Sequence, residues 1–398
     1  MTHSMKSWDK GGKMNSFTYS YPTKVYFGEK AATKNLPAEL AKTGKTVMLA
    51  YGGDSIKKNG IYDELVGILK EAGKEIAEFT GIMSNPTYVK VQEGARLAKE
   101  KNVGFILAVG GGSVIDCCKI VSAQAKSDTD IWKMEFDEHR FPMAFIPMGA
   151  VVTAFGTGAE MNCGAVITHE EKNLKNGVMG AFYDFAILDP EYTMTMPMNQ
   201  VISGAFDSLS HSMETYMGSP REVNYSDEIN EATQRNIIRN IRAMLINPAD
   251  RQPRSELVWA AAMAENGILK FGKVTDFQCH MLEHQLGAYT DCNHGRGLAV
   301  LHPMLYRHMI PEANRQFARL AAEVWGVSPD GKSEAELAES FITALSDFIK
   351  EIGLPTTLTE MGISDIDLEA IAKSTIRTDG CVKKFTDEEL LAVLKECI

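Results

Sequence analysis

Apolar residues in the first half of the chain fall into short continuous runs, separated by stretches with helical spacing. Residues 46–51 (TVMLAY) form one run and end in Gly52-Gly53. Ile61, Leu65, Ile68 and Leu69 recur at helical intervals over 61–73. The segment 75–79 (EIAEF) predicts a second strand, 88–100 a helix, and 104–109 (GFILAV) a third strand that runs into glycines. AFIP at 144–147 and FAIL at 185–188 are further strand candidates. Strand–helix alternation with short loops builds a mostly parallel sheet with helices on both faces. After Asp189-Pro190 the pattern changes. From about 198 to the end the apolar spacing is helical nearly throughout, with Pro248, Pro253, Gly287, Pro303, Gly353 and Pro355 as punctuation. The pattern therefore predicts an α/β Rossmann-like domain over 15–190 and an all-α domain over 191–398. A loose polar tail over 1–14 precedes them, with Met14 as a candidate true beginning. No internal repeat interrupts this plan.

Composition narrows the function. The chain has 398 residues, 44% hydrophobic and 23% charged, with a formal charge of −11. That is globular and acidic, which argues against a general affinity for nucleic acid or an anionic membrane. No run of 18 apolar residues occurs, so no membrane span is expected. Seven scattered cysteines without zinc-finger spacing predict a reduced, cytoplasmic setting.

Residues 110–119 (GGGSVIDCCK) follow the third strand and open an apolar helix. Glycines at such a junction let the backbone approach an anion, and the amides and dipole of the helix favour a pyrophosphate. The run lacks the G-x-G-x-x-G spacing of the common dinucleotide fingerprint, and a tight turn without a ligand would read the same way. The first strand ends in YGGDSIKKNG, where the adenine ribose lies in doubly wound folds. There Asp54 would accept a hydrogen bond from a ribose 2′-hydroxyl and repel a 2′-phosphate. Ser55, Lys57 and Lys58 would instead hold that phosphate, and Ser55 could equally cap the next helix.

The second half carries the stronger signal. Asp207 and His211 stand four apart in a helical stretch, as do His280 and His284, so each pair projects from one helix face. His294 follows between Asn293 and Gly295 at a predicted loop or helix start. One carboxylate and several imidazoles suit a borderline divalent metal such as Fe²⁺ or Zn²⁺. Either pair alone is more often a surface ion pair; two pairs and a glycine-flanked histidine, downstream of a phosphate loop, point to a metal site. His3, His139, His169 and His308 read as surface or tail residues, and His302 as a packing residue.

Taken together, these segments resemble the iron-containing alcohol dehydrogenases, in the branch of bacterial butanol dehydrogenases and broad-range aldehyde reductases. The likeness runs from Tyr21 to the C-terminus. It rests on YPTKVYFGE at 21–29, the YGG-x-SIKKNG-x-YD turn, NPT at 85–87, GGGSVID at 110–116, GTGAEMN at 156–162, ILDP at 187–190, the Asp207/His211 helix and the H-x-x-x-H…H-G segment at 280–295. The resemblance implies a dehydroquinate synthase-like architecture, with the cofactor in a cleft between the α/β and helical domains. It implies metal ligation by Asp207, His211, His280 and His294, with His284 near substrate or nicotinamide. It carries cofactor contacts to Gly52, Gly53, Ser55, Asn85, Pro86, Gly111, Gly112, Ser113, Thr153, Thr157, Lys175 and Leu188, and it implies a homodimer. Two departures stand out: Ala159 replaces a common serine, and Asp54 stands where NADP-using relatives commonly have glycine.

The expected chemistry is hydride transfer between NAD(P)(H), with NAD(H) favoured, and a small primary alcohol or aldehyde such as butanol or butanal. A metal ion would act as Lewis acid and His284 as proton carrier. Two rivals share the fold. A dehydroquinate-synthase-like lyase needs a cationic cluster, and only Lys273 and Arg296 stand near the candidate ligands in the sequence. A glycerol or diol dehydrogenase has a smaller ligand set. A non-catalytic filament protein has no support in an intact ligand set and phosphate loop.

Overall fold

The structure, a computed structural model, describes residues 15–310 and 312–398. The tail expected at 1–14, with His3 and Met14, lies outside them. Among the described residues there are eight strands: β1 (Lys24–Phe27), β2 (Thr46–Tyr51), β3 (Glu75–Phe79), β4 (Phe105–Gly110), β5 (Met148–Val152), β6 (Gly164–His169), β7 (Leu174–Met179) and β8 (Phe185–Leu188). Six form one sheet in the order β1-β8-β5-β4-β2-β3, with every pairing parallel.

Burial explains why the central strands read as unbroken apolar runs. Every residue of β4, β5 and β8 is buried, because helices cover both sheet faces. Side chains alternate between two apolar cores. Met48, Ala50, Ile106 and Ala108 face one, and Val47, Leu49, Phe105 and Leu107 face the other. The edge strands β1 (KVYF) and β3 (EIAEF) are partly exposed and correspondingly more polar.

One strand lies elsewhere than expected. Residues 144–147 are not a strand; β5 begins at Met148. Pro147 has no N–H to give to a central strand, although its carbonyl accepts from Ile106 N at 3.0 Å, so regular pairing starts one residue later. The antiparallel hairpin β6–β7 was not expected at all. It turns through a 3-10 segment at Glu170–Lys172 and Asn173, whose φ is 48°.

From β2 the chain passes to β3 on one side and to β4 on the other. The strand order therefore reverses between β2 and β4, and ligands of doubly wound sheets bind beyond the carboxyl ends at such a point. The two glycine turns, Gly52-Gly53 after β2 and Gly110–Gly112 from the last residue of β4, lie at that place. Beyond Leu188 the described residues hold helices, turns and one isolated β-bridge, Ser219–Val274. Among the described residues no helix is long and apolar enough to cross a membrane.

Candidate metal and dinucleotide site

Three helices bring the histidines together. Met198–Tyr216 carries Asp207 and His211, Gln278–Thr290 carries His280 and His284, and His294–Met309 begins at His294. The last helix is capped by Asn293, whose side chain accepts from Arg296 N. Gly295 is required there, since a Cβ would stand 2.1 Å from the carbonyl oxygen of Ser203 on the first helix. Asp207 Oδ1 lies 3.4 Å from His294 Nε2, 3.5 Å from His280 Nε2 and 3.7 Å from His211 Nε2. The ligand atoms of Asp207, His280 and His294 lie mutually within 4.8 Å. His211 stands at the margin of that group, stacked on His280 with ring centroids 4.5 Å apart.

The buried atoms fit a divalent cation. Asp207 Oδ1 and His280 Nε2 are buried and have no hydrogen-bond partner among the described residues. Nitrogens and oxygens held at about 2.1 Å from one ion stand about 3–3.5 Å apart, the spacing seen around Asp207. Two carboxylates that the sequence did not single out orient the rings. Glu214, fully buried, accepts from the Nδ1 of His280 and from the backbone N–H of Cys279 at 2.6 Å and of His280 at 3.3 Å. Glu283, also fully buried, accepts from the Nδ1 of His294 and pairs with Lys175 at 3.3 Å. Both arrangements turn Nε2 towards Asp207, as carboxylate–histidine–metal triads do.

The electrostatics agree. Burial pushes the Asp207 carboxyl up, but His211 and His294 outweigh it and hold the group well below the usual carboxylate range. Burial pulls the His280 imidazole down, yet Glu214 and Asp207 raise it to about 10. His294 is raised against its burial by Glu283 and Asp207. His284 moves the other way: burial first, then Lys175 and His294, hold it well below the usual histidine range. Its Nδ1 is buried without a partner. His302 is a packing residue as expected, buried and bonded to Ser210. His169 is not a plain surface residue, because it stacks on Tyr88 with centroids 5.4 Å apart.

The glycine turns open on the same cleft. One part, about 420 Å³, is lined by Gly52, Gly53, Ser55, Gly111, Gly112, Ser113, Thr153 and Thr157, and also by Asp207 and His294. The other, about 410 Å³, is lined by Asn85, Pro86, Lys175, His211, His280 and His284, and shares Gly112, Ser113, Thr157 and His294 with the first. Its walls are largely apolar, with Phe182, Phe277, Met281, Ala159 and Val166. The glycine-turn residues and the histidine cluster therefore share one space. Gly112 cannot carry a side chain, since a Cβ would lie 2.3 Å from Thr157 Oγ1.

Two expected contacts do not reach the cleft. Leu188 is fully buried within the sheet and lines neither part. The Asp54 side chain is 74% exposed, 3.9 Å from Lys57, and it too lines neither part. Ser55 does not cap the short helix Ser55–Lys58; Asp54 holds the N-cap position without a side-chain cap. The cations also differ from those expected. Lys273 is buried in an ion pair with Asp227 at 2.6 Å, and Arg296 lines neither part. Lys175 and Lys270 line the second part instead, each paired with an acid, Glu283 and Glu265 respectively.

Comparison with known proteins places this arrangement. The family model for iron-containing alcohol dehydrogenase matches residues 22–190, and that for the C-terminal part of the Fe-containing alcohol dehydrogenase family matches 201–398. A probable NADH-dependent butanol dehydrogenase of Bacillus subtilis is 38% identical, over 96% of this chain and 99% of its own. The NADPH-dependent aldehyde reductase YqhD of Escherichia coli is 33% identical, over 90% of this chain and 92% of its own. The crystal structure of an NADH-dependent butanol dehydrogenase A from Thermotoga maritima superposes with a TM-score of 0.90 at 34% identity, covering 97% of this chain and 99% of that one. With both family models matched across nearly the whole chain, this protein is a member of the iron-containing alcohol dehydrogenase family and an oxidoreductase.

Proposed function

We propose that this chain interconverts small primary alcohols and aldehydes of the butanol/butanal class, with NADH as the favoured reductant and one divalent metal, Fe²⁺ before Zn²⁺. The observation that carries the reading is the shared cleft: the phosphate-loop glycines and the Asp207/His280/His294 cluster line the same space. Asp207, His211, His280 and His294 would hold the metal. Gly52, Gly53, Ser55, Gly111, Gly112, Ser113, Thr153 and Thr157 would hold the dinucleotide, with Asn85, Pro86 and Lys175 on the nicotinamide side. The division near residue 190 would then set the cleft between an α/β and a helical domain. Four relatives at 35–38% identity are named for NADH-dependent butanol dehydrogenation, which supports the cofactor and substrate class. The resemblance also supports a homodimer, and seven unpaired cysteines fit a reducing cytoplasm.

A bound metal supplies Lewis-acid polarisation of the substrate oxygen, and the nicotinamide supplies or takes the hydride. This chain's residues provide the rest. Glu214 and Glu283 fix the imidazoles before substrate arrives, so little reorganisation accompanies the reaction. Phe182, Phe277, Met281 and Val166 give the hydrocarbon tail an apolar wall and exclude water from the reacting carbon. His284 would pass the proton between the substrate oxygen and solvent, holding it only in transit, because burial, Lys175 and His294 favour its neutral form. Ala159 offers no hydroxyl on the same wall, so one polar contact common in relatives is replaced by apolar surface.

The test is a set of steady-state rates on metal-loaded protein: butanal with NADH and with NADPH, then 1-butanol, glycerol and 1,3-propanediol with the oxidised cofactors. Faster turnover of butanal and 1-butanol than of the diols supports the proposal. Preference for glycerol or the diol, or no redox activity at all, overturns it.

A further inference from the structure

A third cavity, about 570 Å³, lies in the helical half outside the cleft and falls within the size range of small-ligand sites. Arg221, Lys273, Arg315 and Arg319 line it. Their existing partners show which charges remain uncompensated. Lys273 is neutralised by Asp227 at 2.6 Å, and Arg319 holds Glu231 through hydrogen bonds of 2.6 and 3.1 Å. Among the described residues Arg221 donates only to the carbonyls of Glu312, at 3.2 Å, and Val382, at 2.6 Å. Arg315 has no hydrogen-bond or ion-pair partner among the described residues. Against these two free cations the lining offers one further acid, Glu334.

A second observation points the same way. Gln316 lines the cavity, is 6% exposed, and its Nε2 has no partner among the described residues. A buried amide donor left unpaired is costly, and turning the amide so that its N–H₂ meets a ligand oxygen in the cavity would relieve it. Arg315 and Gln316 stand in the first turn of the helix Asn314–Glu323, whose N-cap Ala313 provides no side-chain acceptor. That end of a helix favours an anion, and guanidinium groups bind oxyanions through paired N–H donors. The lining also includes Tyr216, Val223 and Leu337, whose apolar surface suits an organic body.

We infer that this cavity is a second ligand site, built for a small organic phosphate: its oxyanion sits on Arg315, Arg221 and Gln316, and its body on Tyr216, Val223 and Leu337. Nothing in this site takes part in the chemistry of the cleft.

The experiment uses metal-loaded protein with phenyl phosphate and inorganic phosphate as probes, read by calorimetric titration with and without saturating NADH. Phenyl phosphate is expected to bind one site per chain, more tightly than inorganic phosphate, and equally well in the presence of NADH. Arg315→Ala is expected to weaken it by about tenfold or more, the loss of one charge-assisted oxyanion contact, with alcohol turnover unchanged. Arg315→Gln provides a second variant should Arg315→Ala fold poorly, since it keeps a polar side chain. No binding at millimolar phosphate ester, displacement by NADH, equal affinity for the two probes, or unchanged affinity in the Arg315 variants would overturn the assignment.

Discussion

Glu214→Gln tests whether carboxylates behind the histidines make this a metal site. Glu214 accepts three hydrogen bonds: from the backbone N–H groups of Cys279 and His280 on Oε1, and from the Nδ1 of His280 on Oε2. A glutamine of the same shape has one acceptor oxygen and a donor amide. If its oxygen keeps the two backbone donors, the amide faces Nδ1 and favours the tautomer that carries its proton on Nε2, where the metal should bind. If the amide turns round, its N–H₂ faces two backbone N–H groups in a fully buried place. Either outcome also removes the charge that raises the His280 imidazole to about 10. Losses of this kind behind a ligand cost about 10–100-fold in metal affinity, or about 1.4–2.7 kcal/mol. The assay is competition for Fe²⁺ and Zn²⁺ against a chelator of known affinity, with thermal unfolding in excess chelator as a control for the fold. A metal Kd equal to wild type in a well-folded variant would refute the role of Glu214 and weaken the assignment of His280 as a ligand.

Three further outcomes follow from the same geometry. Gly111→Val brings a side chain against Ala154, whose Cβ lies 3.1 Å from where a Cβ on Gly111 would stand, so the KM for the dinucleotide should rise by about tenfold or more and that for butanal far less; equal changes in both constants count against a pyrophosphate site. Asp54→Gly should improve kcat/KM for NADPH by only about twofold to fivefold, the scale of an exposed charge interaction, because the side chain is 74% exposed; no change would show that Asp54 does not face the ribose. Burial, and then Glu214, raises Asp276 from 3.8 to about 7, so the folded chain binds the extra proton between those values and this group's stability contribution falls as pH rises through that window, by roughly 4 kcal/mol in all. Asp276→Asn removes that dependence, so its melting temperature should gain on wild type from pH 4.5 to 7.5, and a pH-independent difference would contradict the shift.

What the sequence made legible, and what it hid, separates along one physical line. The central strands were readable because parallel strands covered on both faces must be apolar without interruption. AFIP at 144–147 satisfied that pattern and still failed, because hydrophobicity does not register the missing N–H of Pro147. The hairpin β6–β7 (GAVITH, LKNGVM) mixes glycine, asparagine and lysine into its strands, so no clean alternation betrays it. Asp207, His211, His280 and His284 were readable because four-residue spacing fixes a common helix face before any tertiary contact exists. Glu214 stands three residues beyond His211, at a spacing that also favours the same face, so a signal was present. What that signal lacked was the partner, since the bond runs to His280 on another helix, 66 residues away. Lys270 and Lys273 show the limit most sharply. They stand three apart with Gly272 between them at a φ of 68°, and one lines the cleft while the other pairs with Asp227 beside the arginine cavity. Asp54 stands between two residues that line the cleft, Gly53 and Ser55, yet its side chain faces solvent, and Leu188 is enclosed in the core. Position along the chain brings a residue near a site, but the direction of its side chain is decided by the backbone around it. The candidate ligands lie on α-helices, where that direction is predictable; Asp54 lies at a turn and Lys270 ends a short 3-10 helix, where it is not.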